Sequence, residues 1–155
     1  MQTRRDVLFH SVKVAALLAS VGMLPTLAHA QAGAYNSAAF EAKNLADLVK
    51  VLGASAPTES KDVTVTGPDI AENGAVVPVG ASTSLAGVKR LLILVEKNPS
   101  VMAAMFELTD AIESSVSTRV KMGQSSNVFA VAIMNDGKVH YAAKEIKVTL
   151  GGCGG

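Results

Sequence analysis

Downstream of residue 62, the apolar residues of this 155-residue chain recur in short runs, most of them alternating with polar residues, and turn-forming residues stop each run. That pattern admits few folds. A period of two puts one face of a strand into a core and the other toward water, and runs this short bury their apolar faces by stacking one sheet on another. Residues 63–66 alternate Val and Thr before Gly67-Pro68-Asp69 turns the chain. Residues 75–79 are extended, and Pro78, which has no N–H to donate, argues for an edge position there. Residues 88–96 form a longer, more apolar run suited to a central strand, and stop at Asn98-Pro99-Ser100. Residues 102–108 and 115–122 follow, then 128–134 and 138–149, the last two flanking Asp136-Gly137, the strongest hairpin signal in the chain.

Seven such runs predict a mainly β fold, an immunoglobulin-like antiparallel β-sandwich of about seven strands. One N-terminal α-helix precedes them. Over residues 37–52, Phe40, Leu45, Leu48, Val49 and Leu52 share a helical face, with Ser37 or Asn36 to cap the start and Gly53 to end it. Residues 54–57 read as a linker. Neither a repeat of fixed period nor a βαβ alternation is present, which argues against a nucleotide-binding α/β fold. The pattern leaves open whether the helix packs on this domain or on a partner. It equally leaves the apolar run at 88–95 open to being core or subunit interface.

The first thirty residues read as an address. Thr3-Arg4-Arg5-Asp6-Val7-Leu8 sets paired arginines ahead of an uncharged apolar run of 11 residues, 14–24, and Ala28-His29-Ala30 supplies a small-x-small cleavage pattern. A bilayer-spanning helix needs about 20 residues, so a signal peptide accounts better than an anchor for a mean hydropathy of +0.33. The order T-R-R-x-V-L resembles a twin-arginine signal, an export route for proteins already folded. Periplasmic localisation is therefore expected, with cleavage near Ala30-Gln31. Cleavage would remove three of 14 basic residues (Arg4, Arg5, Lys13) and one of 13 acidic residues (Asp6), turning a net charge of +1 into −1. Neither value, nor an aromatic content of 4% without Trp, suits a nucleic-acid binder.

The same cut leaves one histidine, His140, and the one cysteine, Cys153. One thiol excludes an internal disulfide, a thiolate zinc cage and a CxxC pair. His140 alternates within a strand, where it reads as one side chain on a strand face and lacks companions for a metal. Neither a metal nor a cofactor is expected. Gly151-Gly152-Cys153-Gly154-Gly155 precedes no helix and contains no Lys, so it is not a phosphate loop. Gly151, Gly152, Gly154 and Gly155 instead predict a flexible, thin arm that presents Cys153. From Thr149 the thiol is four residues out, a reach of about 13 Å. With no base or cation beside it in sequence, its pKa should stay near the free value of about 8.5, leaving activation to a partner. The expected organisation is a signal peptide over 1–30, helix and linker over 31–60, sandwich over 61–149 and arm over 150–155.

The twin-arginine signal, the segment Pro68-Asp69-Ile70-Ala71-Glu72-Asn73-Gly74-Ala75-Val76-Val77-Pro78-Val79, the run Ser117-Thr118-Arg119-Val120-Lys121-Met122 and the Gly-Gly-Cys-Gly-Gly ending resemble the SoxY family. That family comprises the sulfur-carrier subunits of the thiosulfate-oxidising Sox system. The resemblance implies a carrier and not a catalyst, with Cys153 as the point of covalent sulfur attachment. It implies pairing with a SoxZ-like β-sandwich subunit in a heterodimer or heterotetramer, and transient docking with three enzymes. These are a c-type cytochrome that links thiosulfate to the cysteine, a manganese-dependent thiosulfohydrolase and a sulfane dehydrogenase. Two other readings fit the residues: an exported immunoglobulin-like binding module whose cysteine forms an intermolecular disulfide, and a thiol enzyme pairing Cys153 with His140.

Overall fold

The computed structural model describes residues 37–109 and 111–149. Two short helices, α1 (Ser37–Glu41) and α2 (Leu45–Val51), stand where one was expected. Asn44 breaks the run: its backbone is extended (φ −153°, ψ 170°) and its side chain accepts a hydrogen bond from the Asp47 N–H at 2.8 Å, so a second helix is capped there. The end follows the sequence. Gly53, at φ 69°, donates to Lys50 and Ala54 donates to Val49, the paired bonds that close a helix through a left-handed glycine.

Nine strands follow among the described residues: β1 (Pro57–Glu59), β2 (Val63–Thr66), β3 (Ile70–Ala71), β4 (Val77–Thr83), β5 (Val88–Val95), β6 (Met102–Glu107), β7 (Ser115–Val120), β8 (Ser126–Met134) and β9 (Val139–Val148). The seven expected runs are all strands. The two additions are the short β1 and β3, in segments read as linker and turn, and both pair in parallel with β9. The larger sheet runs β1-β9-β8-β5-β6 with β3 also on β9, and the smaller is β2-β4-β7, so the sandwich is the immunoglobulin-like one expected. At the hairpin between β8 and β9, Gly137 takes φ 84° and donates to Met134.

The centre of the larger sheet explains its composition. Leu91, Ile93 and Val95 of β5, with Val128, Ala130 and Ala132 of β8, pack toward Val63, Val77, Val79, Ala81 and Met122 on the smaller sheet's side. The alternate residues Leu92, Leu94, Val131 and Ile133 pack instead with Ala39, Leu48 and Val49 of the helices. A strand covered on both faces has no polar alternation to show. Residues 91–95 of that run are therefore core on both sides, and the helices pack on this domain.

Pro78 sits in β4, the middle strand of the smaller sheet, and not in an edge strand. It is tolerated because β2 pairs only with Gly80 to Thr83, so at Pro78 the neighbour is Arg119 of β7 alone. The position is locally an edge.

Because Ile93 is 1% exposed, Ile93→Ala should cost about 2–5 kcal/mol, the range for emptying a packed site. Urea denaturation would measure this as a lower midpoint at unchanged slope.

Candidate functional site

Leu150, Cys153 and the four flanking glycines lie outside the described residues. What the structure defines is the place from which they depart. β9 ends at Val148, and Thr149 is held beyond it by its N–H, which donates to Ala71 O at 3.1 Å, and by its Oγ1, which donates to Glu72 O at 3.0 Å. One residue earlier, on the opposite side, the Val148 N–H donates to the Ser125 hydroxyl at 2.9 Å, where β8 has not yet begun. Lys147 N donates to Asp69 O at 3.0 Å. The last three described residues of this strand end therefore have their N–H groups bonded, which is what fixes a chain's direction at a sheet end.

The acceptor segment is held in turn. Asn73 accepts from the Ala75 N–H through its side chain at 2.8 Å, a turn that asparagine makes readily, and Gly74 O accepts from Met122 N at 2.7 Å. Lys144 of β9 donates to Gly67 O at 2.6 Å and pairs with Asp69 at 2.9 Å, anchoring the turn that leads into β3. Met122 is fully buried. The two motifs of the sequence resemblance, residues 68–79 and 117–122, thus meet through Gly74 and Met122, and through the pairing of Val77 with Val120 and of Pro78 with Arg119. Together they build the support on which Thr149 rests.

His140 belongs to the other end of β9. It pairs with Ala132 on one side and Thr58 on the other, as a strand-face residue does, and its buried Nδ1 has no hydrogen-bond partner among the described residues. Nine residues of extended strand put it about 30 Å from Thr149. A tether of about 13 Å cannot bring Cys153 of the same chain to it. The described residues contain no cluster of three or more His, Cys, Asp or Glu side chains able to hold a metal ion.

The sequence draws attention to Cys153 and its glycines but not to the residues that hold Thr149. Besides the Ser125 hydroxyl and the Asn73 side chain, the acceptors of this support are the main-chain carbonyls of Gly67, Asp69, Ala71, Glu72 and Gly74, which every residue type carries.

The chain is similar to known proteins in sequence and in fold. Residues 48–153 match the family model described as sulfur oxidation protein SoxY, a span that ends on Cys153. Among solved structures, the chain is similar to the sulfur carrier protein SoxY from Chlorobium limicola f. thiosulfatophilum, with 36% identity and a TM-score of 0.55 over 61% of this chain and 84% of that one. A superoxide reductase (neelaredoxin) from Ignicoccus hospitalis aligns at 21% identity and a TM-score of 0.50, covering 56% of this chain and 78% of that one, a likeness of fold alone. No curated protein matches the chain.

Lys144→Met keeps the aliphatic stem and removes both the Gly67 bond and the Asp69 pair. It should cost about 1–2 kcal/mol, since the ammonium is partly solvated. Amide exchange should quicken most at Lys147 and Thr149, with the β5–β8 core amides unchanged.

Proposed function

The chain belongs to the SoxY family, and from that membership we propose that it is an exported sulfur-carrier subunit. Cys153 is its point of covalent attachment and Gly151, Gly152, Gly154 and Gly155 form its flexible arm. The observation that carries the reading is the span of the family match, which runs through the domain and ends on the cysteine itself. The bonding of Thr149 supports it, because a carrier needs a firm origin from which a short tether departs.

The cycle makes few chemical demands on this chain. Joining the Cys153 thiolate to the outer sulfur of thiosulfate forms one S–S bond and releases two electrons, which a c-type cytochrome enzyme accepts. Water then cleaves the bond between the sulfane and sulfonate sulfurs. Sulfate leaves and a cysteine persulfide remains, the step assigned to a manganese-dependent thiosulfohydrolase. A sulfane dehydrogenase would take six electrons from the outer sulfur while water supplies its oxygens, leaving a cysteine S-sulfonate, and a second hydrolysis releases sulfate and returns the bare thiol. Each step needs the sulfur brought to another protein's reactive centre, and none needs a base from this chain. Export through the twin-arginine route, periplasmic residence and pairing with a SoxZ-like subunit belong to the same reading. The route carries folded proteins, and a subunit without its own signal could cross with this one.

Intact-mass measurement after incubation with thiosulfate and the linking cytochrome should find a thiosulfonate adduct on the C-terminal peptide, removable by a thiol reductant. Cys153→Ser should abolish it, while His140→Ala should leave loading within about twofold of wild type. Unmodified thiol or a simple disulfide dimer as the sole product would favour the binding-module reading instead.

A further inference from the structure

Six large apolar side chains are exposed among the described residues, and two of them, Ile70 at 58% and Val76 at 56%, belong to the segment that holds Thr149. Phe40 and Val51 lie on the helices, Met105 on β6 and Ile112 in the loop after it. Within residues 70–76, every neighbour of the exposed pair has an internal task. Ala71 and Glu72 accept from Thr149, Asn73 makes the turn and Gly74 accepts from Met122. Neither Ile70 nor Val76 is needed for burial, and leaving both in water forgoes their transfer free energy.

The tether length gives them an occupant. Cys153 is four residues beyond Thr149, so whatever reacts with its sulfur lies within about 13 Å of Thr149 plus one side chain. An enzyme whose reactive centre is recessed by most of that depth must bring its own surface down onto residues 70–76. We propose that this collar, with Ile70 and Val76 as its apolar contacts, is the surface on which the mouth of such an enzyme's channel is seated while Cys153 occupies the centre. The proposal rests on the carrier reading and names the contact by which it is executed. Exposed charges of both signs belong to the same neighbourhood in the fold: Glu72 within the segment, Lys147 opposite Ile70 in the β3–β9 pairing, and Lys121 beside Met122, which bonds Gly74. An apolar centre inside a polar rim is the usual anatomy of a protein–protein contact. The occupant is accordingly an enzyme with an apolar rim around a narrow entrance.

The test compares wild type with the Ile70→Asp/Val76→Asp double variant in loading by thiosulfate and the linking cytochrome, followed by intact mass. The double variant should lose about tenfold or more in kcat/KM, mostly through KM, because two carboxylates would have to be desolvated at the mouth. Its thiol should react with a small aromatic disulfide at the wild-type rate, and its melting temperature should hold. Ile70→Val/Val76→Ile should load normally. Lengthening the tether by a few glycines between Gly152 and Cys153 should shrink the loss to less than about threefold, since the mouth can then stand clear of the collar. Equal loading of wild type and double variant overturns the proposal, as does a loss that lengthening leaves unchanged. A wild-type chain that is never loaded removes the carrier reading, and the collar with it.

Discussion

Residues 91–95 of β5 are each at most 1% exposed, so the sheet they run through has to be covered on both sides. Every other layer follows from that requirement. The smaller sheet takes one face and the two helices take the other, and neither cover can be dispensed with, because a Leu or Ile returned to water costs about 1.5–3 kcal/mol. Neither helix would persist alone at five and seven residues. They exist because Leu48 and Val49 have Leu92, Leu94 and Val131 to bury against.

On this base β9 acts as a tie. One side is laddered to β8 from Ile146 back to Val139, and the other receives β1 near its start and β3 near its end. The strand that leads to the cysteine is thereby bonded to segments from both ends of the chain's first third of the sandwich. Lys144 and Thr149 extend the attachment into the turn before β3 and the segment after it. Residues 147–149, the last described before Cys153, thus end the sheet hydrogen-bonded and not frayed.

The strands were legible in sequence wherever a period of two or an unbroken apolar run lasted four residues or more, as in residues 63–66 and 91–95. β1 and β3, at three and two residues, are too short to carry a period. Their pairing depends on the distant edge of β9, which no local signal announces. The helix face was also legible, but Asn44 fits both a solvated helical position and a cap, and only the packed geometry chose the cap. Pro78 shows the converse: the residue correctly reported a missing neighbour, while the strand as a whole has two. Cys153 stood out through what surrounds it in sequence, and its support did not, because a backbone carbonyl has no side-chain signature.

The parallel pairings on β9 also order events in time. Pro57 meets Val139 and Ile70 meets Lys147 across separations of about 80 residues, and contacts of such span carry a large loop-closure cost that slows their formation. The seat of Thr149 requires β3 to have reached β9, so it depends on one of the long-range pairings of the domain. Until then Thr149 lacks both of the carbonyls that hold it. A finished origin for the arm is in this sense a report that the whole sandwich has closed.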